Sequence, residues 1–342
     1  MSTSIDLTSS PLLILTRRDP ICIFYSIALT YLRLRRRLIT HVSFVDSIFN
    51  TVVEDFTQHY DTVLLLDICT EFNTRMLNNF KNVRKLLINE ESISQLLELS
   101  TGDAKIRNLV EICKILYIYE KPEIYQDEIK VETLDHLNIP PLPGVTYLDF
   151  EKSIKLCIIP YIPDITGSDS VDIDLSKNIE DIIRHISEKI IRNKFSGVML
   201  DSWLCGTYLL KNGSPIQDIL LFLESSLRYE YYINMVDILN QSKLLDNDRV
   251  FNTCFKYVKE ISNIVQEVLK NNTLTFEVDN SVLFYRLMKI LRFYRKWKDV
   301  KIIFKPRRDV KCVASGSLDM SKSREYSIYE KDGVYIFCYE ES

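Results

Sequence analysis

The stretch Thr62–Ile68, TVLLLDI, decides the fold. An unbroken apolar run of this length, closed by an aspartate, has the pattern of a parallel strand covered on both faces rather than the alternation of a half-exposed one. Working outward, Leu12–Thr16 (LLILT) is a shorter run of the same kind. Pro20 stands well for a helix start, and Ile21–Arg36 reads as the helix it opens. Leu38–Phe44 is strand-like, and Asp46 is placed to cap a helix reaching Phe56. After the central run come a helix over Glu71–Phe80, a strand over Val83–Ile88 and a helix over Glu91–Leu99. Strand–helix alternation with short connections predicts an α/β fold, an open and mainly parallel sheet flanked by helices.

Further along, residues 103–121 form an amphipathic helix, and Pro140, Pro141 and Pro143 precede Gly144 in an irregular stretch. Ile154–Tyr161 is expected as a fifth strand, followed by an acidic loop over Asp164–Asp174 and a helix over Asn178–Lys194. The boundary is expected in Phe195–Gly213, giving an α/β domain over 1–195. Residues 196–342 are expected to form a helical connector and a smaller α+β C-terminal domain. Its helices fall near 215–241, 247–271 and 281–298, and its strands near 300–304, 310–315, 325–329 and 334–339.

Composition removes several function classes. Of 342 residues, 46% are hydrophobic and 26% charged, ordinary for a folded globular chain. Only 8 glycines occur, with no Gly-Gly, GxGxxG or GxxxxGK[ST], which excludes a P-loop or a dinucleotide fingerprint. The 8 cysteines are never closer than 26 residues, so no zinc-ligand spacing exists and no disulfide framework is expected. Pro20–Leu32 is too short to span a bilayer, and the start is unlike a signal peptide. An intracellular, soluble chain is expected, cytoplasmic in an archaeal-type cell or nuclear in a eukaryotic one, with no membrane partner.

The net charge of −4 is unevenly spread. Arg17–Arg37 carries +5 and Arg286–Lys311 carries +9, while Leu38–Tyr285 carries −14. Two basic zones on an acidic body point to anionic partners at both.

In an open α/β sheet, ligands bind outside the carboxyl ends of the strands. Arg17-Arg18-Asp19-Pro20 follows the first strand, Asp46 the second, Asp67 ends the third and Asn89-Glu90-Glu91 follows the fourth, with Asp164 after the expected fifth. This order of elements and strand-end residues resembles the DHH phosphoesterase superfamily, in the branch that holds the RecJ nucleases and their non-nuclease relative, cell division control protein 45. The resemblance sets Arg17 and Asp19 at the family's first motif, Asp67 at the second, Asn89, Glu90 and Glu91 at the Asp-His-His motif, and Asp164 at the fourth. The departures matter more than the matches. Arg17 puts a permanent cation where a two-metal site needs a ligand, and both imidazoles are replaced. The expectation is a degenerate site with no catalytic residue, no metal and no cofactor, a residual Mn²⁺ or Mg²⁺ remaining open. Each carboxylate also has a structural reading: Asp19 and Asp67 as helix caps, Glu90 and Glu91 as complements to a helix dipole, Asp164 as solvated surface.

Two basic clusters remain. Arg286, Lys289, Arg292, Arg295 and Lys296 recur at helical steps, extended by Arg307 and Arg308 and interleaved with Phe293, Tyr294 and Trp297. They are nucleic-acid-binding candidates of the single-strand type, against the alternative that the aromatics are core. Arg33, Arg35, Arg36 and Arg37 exceed what a helix C-terminus needs and form a candidate partner patch. The resemblance implies a non-catalytic replication factor that partners the GINS complex and the MCM helicase and contacts single-stranded DNA. The alternatives are an active metal-dependent phosphoesterase or single-strand exonuclease with a rearranged site, and an unrelated α/β interaction module.

Overall fold

The computed structural model describes residues 5, 8–45, 59–67, 82–121, 131–171, 179–200, 203, 206–229, 243–271, 275–307, 310–317, 327–331 and 334–340. They group into two compact units, 1–114 with 277–281 and 301–342, and 115–276 with 282–300. This division does not coincide with the one expected at 195/196. The chain leaves the first unit within a helix and returns to it for its last strands.

The first unit opens with β1 (Leu12–Thr16), α1 (Pro20–Arg35), β2 (Thr40–Phe44), β3 (Thr62–Leu66), β4 (Val83–Leu86) and α2 (Glu90–Leu99), followed by the start of α3 (Ala104–Glu120). The sheet order is β2-β1-β3-β4 and every pair is parallel. Every residue of β1 and β3 is buried, as their unbroken apolar runs predict, and the outer β2 is half-exposed. Leu13, Leu15, Val63 and Leu65 form one packed face, with Val45, Tyr60 and Val83 against it. At about 25 cal/mol per Å² of apolar area, burial of this kind is the main source of stability. The helices expected over 46–56 and 71–80 lie outside the described residues.

Local signals set the helix ends. The Asp19 carboxylate accepts from the Ile21 N–H at 3.0 Å, and Pro20 follows where a helix needs no amide proton. Asn89 and Ser92 cap α2 reciprocally: Asn89 Oδ1 accepts from the Ser92 N–H (2.9 Å), and the Asn89 N–H donates to Ser92 Oγ (3.0 Å). The far end of α1 closes with Leu38 N–H to Arg33 O (3.1 Å) and Arg37 N–H to Leu34 O (2.8 Å). That is a Schellman ending with Arg37 at φ 59°, the position glycine usually takes.

The C-terminal sheet has five strands in the order β10-β11-β9-β8-β7, from β7 (Thr275–Val278), β8 (Lys301–Arg307), β9 (Val310–Ser315), β10 (Ser327–Lys331) and β11 (Val334–Glu340). Four of its strands match expectation; β7 was not anticipated. Cys312 is disulfide-bonded, contrary to the expectation of free thiols. It stands opposite Cys338 in the β9–β11 register, a neighbour that antiparallel pairing creates and sequence spacing cannot reveal.

The second unit is mostly helical. It holds the end of α3, then α4 (Phe150–Lys155), α5 (Ile179–Arg192), α6 (Ile216–Arg228), α7 (Asp248–Asn271) and α8 (Ser281–Leu291), with a small antiparallel pair of β5 (Asp135–Leu137) and β6 (Thr207–Leu209). The fifth strand expected over 154–161 is not formed. Asp149 caps α4 by accepting from the Lys152 N–H at 2.8 Å, and the apolar run then passes into a turn containing the Ile158–Tyr161 bridge. A short buried apolar run has the same pattern in a helix and in a strand, and the Asp149 cap decides between them. Likewise α8 ends at Leu291, not 298. Among the described residues no helix is long and apolar enough to cross a membrane.

One buried carboxyl organises this unit. Asp218, in the first turn of α6 and 0% exposed, accepts from the Gly144 N–H (2.6 Å) and from Tyr147 Oη (2.5 Å), which in turn accepts from the Leu245 N–H (3.0 Å). Burial pushes its pKa up to about 7, against the lowering effect of the two hydrogen bonds. A carboxyl harder to ionise when folded than when unfolded binds a proton on folding. Its contribution is complete below about pH 4, the unfolded value, and is lost as pH rises through about 7. Asp218→Asn keeps an acceptor for Gly144 and removes the titration. Urea midpoints measured from pH 4 to pH 8 should therefore fall relative to this variant in the native protein, with the difference levelling off above pH 8.

Candidate functional site

The sheet order β2-β1-β3-β4 means that the chain turns one way after β1 and the other way after β3. The ligand crevice of such a sheet opens between the carboxyl ends of these two strands. Thr16 and Leu66 are register partners, so the next residues, Arg17 and Asp67, stand side by side at that point. The guanidinium of Arg17 bonds directly to Asp67 Oδ2, with side chains only 7% and 3% exposed. Asp67 is held from every direction. Its N–H donates to Leu86 O (2.8 Å), and its Oδ1 accepts from the Ile88 N–H (3.3 Å). Cys22 Sγ, from α1, donates to Oδ2 at 3.9 Å. Its backbone takes the left-handed φ of 52°, which aspartate tolerates better than most residues. The crevice mouth thus contains an internal ion pair.

The other strand-end residues serve the helices that follow them. Asp19 is buried and accepts from the first turn of α1. Asn89 is half of the α2 capping box, and Glu90 and Glu91 are exposed in the first turn, where negative charge complements the helix dipole. Asp164 does not end a strand, since the expected strand is absent. It is exposed in a loop of the second unit at φ 64°, where Asn193 Nδ2 donates to its Oδ2 at 3.4 Å. Asp46 lies outside the described residues. These side chains do not fit a two-metal centre. Asp67 is committed to Arg17, Asp19 caps a helix, and among the described residues no three His, Cys, Asp or Glu side chains come together as metal ligands. The neighbouring thiol of Cys113 is fully buried, and burial first, then electrostatic interaction with Cys22, Asp19 and Asp67, pushes its pKa well up. It is packing rather than a nucleophile.

The basic clusters divide into internal and external members. Arg33 is fully buried, which removes it from the candidate partner patch. Its Nε donates to Thr40 Oγ1 (2.7 Å) and its Nη2 to Ile39 O (3.3 Å) and Ser9 O, tying the end of α1 to the start of β2. Arg35 is exposed and pairs with Asp103 at 2.9 Å, and Arg36 and Arg37 are exposed.

The correction is larger in the second unit. Arg286 is 2% exposed and cannot reach a nucleic acid. Its Nε donates to both Glu224 oxygens (3.1 and 3.0 Å) and its Nη2 to Glu120 Oε1 (2.7 Å). Lys289 pairs with Glu120 Oε2, Arg292 Nη2 donates to Glu120 O (2.6 Å), and Tyr257 Oη donates to Glu224 Oε2 (3.1 Å). Burial pushes the Glu224 carboxyl up while Arg286 pulls it back. Burial also opposes the charge on Arg286, but Glu224 and Glu120 outweigh it and hold its pKa well above the ordinary value. Beside this network lies a cavity of about 30 Å³ lined in part by Glu120, Arg286, Lys289 and Phe293, room for a water or two. Tyr294 and Trp297 are buried, Tyr294 packing on Phe195 with ring centroids 5.5 Å apart, so these two aromatics belong to the core, while Phe293 is half-buried. Of the strand-binding candidates, Arg295 is exposed and Lys296 half-buried, Arg307 ends β8, and Arg308 lies outside the described residues. Sequence reasoning missed Glu120 and Glu224. The signal was present: Glu224 follows the apolar run Ile219–Leu223 on a helix whose buried face it joins.

No protein-family model matches the sequence, and no curated protein does. Solved structures do. The crystal structure of CDC45 from Entamoeba histolytica matches at a TM-score of 0.50 and 10% identity, over 96% of this chain and 92% of that one. Exonuclease RecJ bound to manganese matches at a TM-score of 0.39 and 9% identity, over 97% and 86%. RecJ with Mn²⁺ from Thermus thermophilus matches at 0.38 and 10% identity, over 95% of this chain and 49% of that one. The first likeness establishes a shared fold.

Removing one partner of a buried ion pair leaves the other uncompensated, at a cost of about 3–5 kcal/mol. Arg17→Met should lower the unfolding free energy measured in urea by that amount. The double variant Arg17→Met/Asp67→Leu should recover most of it. A strictly additive double variant would show that the two side chains do not depend on each other.

Proposed function

We propose that this chain, which has the fold of CDC45, is a non-catalytic RecJ-like replication factor that acts through binding surfaces rather than chemistry. The partners proposed are the GINS complex and the MCM replicative helicase. The observation that carries the reading is the buried Arg17–Asp67 pair at the switch point of the sheet. Two-metal phosphodiester hydrolysis needs a cage of anionic and imidazole ligands around two divalent ions. A guanidinium about 4 Å from a divalent ion is repelled by roughly 8 kcal/mol at an effective dielectric of 20, twice the value for two unit charges. The aspartate that would anchor a metal is already neutralised by that guanidinium, and an amide, Asn89, stands at the aspartate position of the Asp-His-His motif, with Glu90 and Glu91 where its two imidazoles would be. The reading therefore assigns no metal cofactor.

Burial of Arg286, Tyr294 and Trp297 weighs against an extended single-strand platform over 286–297. A strand contact through this segment would fall to its exposed cations, Arg295 and Lys298, backed by half-buried Lys296. Protein assembly is accordingly the principal role proposed, with single-stranded DNA a secondary ligand.

Incubation of the purified chain with labelled single-stranded DNA and millimolar Mn²⁺ should release no product above the buffer control, with Asp67→Ala behaving identically. Turnover that Asp67→Ala abolishes would overturn the reading and make the protein a hydrolase. GINS or MCM subunits should copurify with the tagged chain at moderate salt, and failure of both would remove the replisome assignment while leaving the inactive switch point intact.

A further inference from the structure

At the opposite end of the strands from Arg17 and Asp67, the last turn of α1 meets the start of β2, and the surface changes character. Most of α1 is buried, but Tyr31 is 47% exposed, Leu34 62% and Ile39 58%. These apolar side chains accompany three consecutive exposed arginines, Arg35, Arg36 and Arg37. Arg35 holds Asp103, while Arg36 and Arg37 make no ion pair among the described residues. We propose that this corner is a docking surface for an acidic protein segment that carries apolar side chains.

Two observations support it. The first is complementarity: carboxylates of the segment would meet Arg36 and Arg37, and its apolar residues would cover Leu34 and Ile39. A phosphodiester backbone would use the cations but gain nothing from the apolar pair, which favours a protein ligand over nucleic acid. The second is preorganisation. Buried Arg33 pins this corner through Thr40 Oγ1, Ile39 O and Ser9 O, and the Ile39 N–H donates to Ser10 Oγ at 3.0 Å. A surface already fixed loses less entropy on binding.

The surface is independent of the switch point, so its failure would leave the proposed function untouched. The test uses fluorescence anisotropy of the full chain with a short labelled peptide alternating glutamate with leucine and phenylalanine. The controls are the same peptide with glutamine for every glutamate, and oligo(dT). The acidic peptide should bind in a salt-dependent manner, with the glutamine peptide weaker by roughly tenfold or more. Arg36→Glu/Arg37→Glu should weaken it similarly, and Leu34→Ser or Ile39→Ser by roughly threefold or more. Arg37→Gly separates the two roles of that residue: melting temperature should rise by about 2 °C while affinity falls. Equal binding of both peptides, unchanged affinity in the charge-reversed protein, or no detectable binding would overturn the proposal. So would tighter binding of oligo(dT) that Leu34→Ser leaves unaltered, which would assign the corner to a nucleic-acid backbone.

Discussion

A guanidinium bonded to a carboxylate at the carboxyl ends of two buried parallel strands is the constraint around which the first unit is organised. Arg17 and Asp67 become neighbours because β1 and β3 pair in register. Neither charge is well solvated, so each depends on the other. The backbone amides of Asp67 and Ile88 and the thiol of Cys22 join the same point, so one ion pair links β1, β3, α1 and the segment after β4. The place where an open α/β sheet ordinarily receives its ligand contains the protein's own side chains.

The same physics recurs where the sequence shows clusters of cations. Arg33 and Arg286, each the first member of a basic run, are buried and held by internal acceptors, while Arg35, Arg36 and Arg37 in the first run and Arg295 in the second remain at the surface. In the second unit two cations and two carboxylates form a closed set around Arg286, with Tyr257 donating to Glu224. Such a set resists opening, because withdrawing any member leaves a buried charge behind. It therefore serves the rigidity of the helical unit rather than capture of a ligand. Each run therefore presents fewer cations to solvent than its composition suggests.

Identity of 10% over 96% of the chain, with the fold shared, shows how little of this architecture depends on particular residues. Apolar volume at buried strand positions, caps at helix starts and parallel register suffice.

The sequence by itself determined the parallel sheet and most of the C-terminal one, because continuous apolar runs and capping residues act locally and leave a readable pattern. LLILT and TVLLLDI became β1 and β3, Asp19-Pro20 opened α1, and Asn89 opened α2. It also brought Arg17 and Asp67 to one sheet edge, since strand ends follow from strand positions. What only the tertiary structure decided was which charges face inward and which residues distant along the chain meet. The run 154–161 became the last two residues of α4 and a turn, Glu120 and Glu224 enclosed Arg286, and Cys312 came to stand opposite Cys338 in the β9–β11 register. Whether a cation is solvated depends on neighbours scores of residues away, and periodicity along the chain carries no record of them.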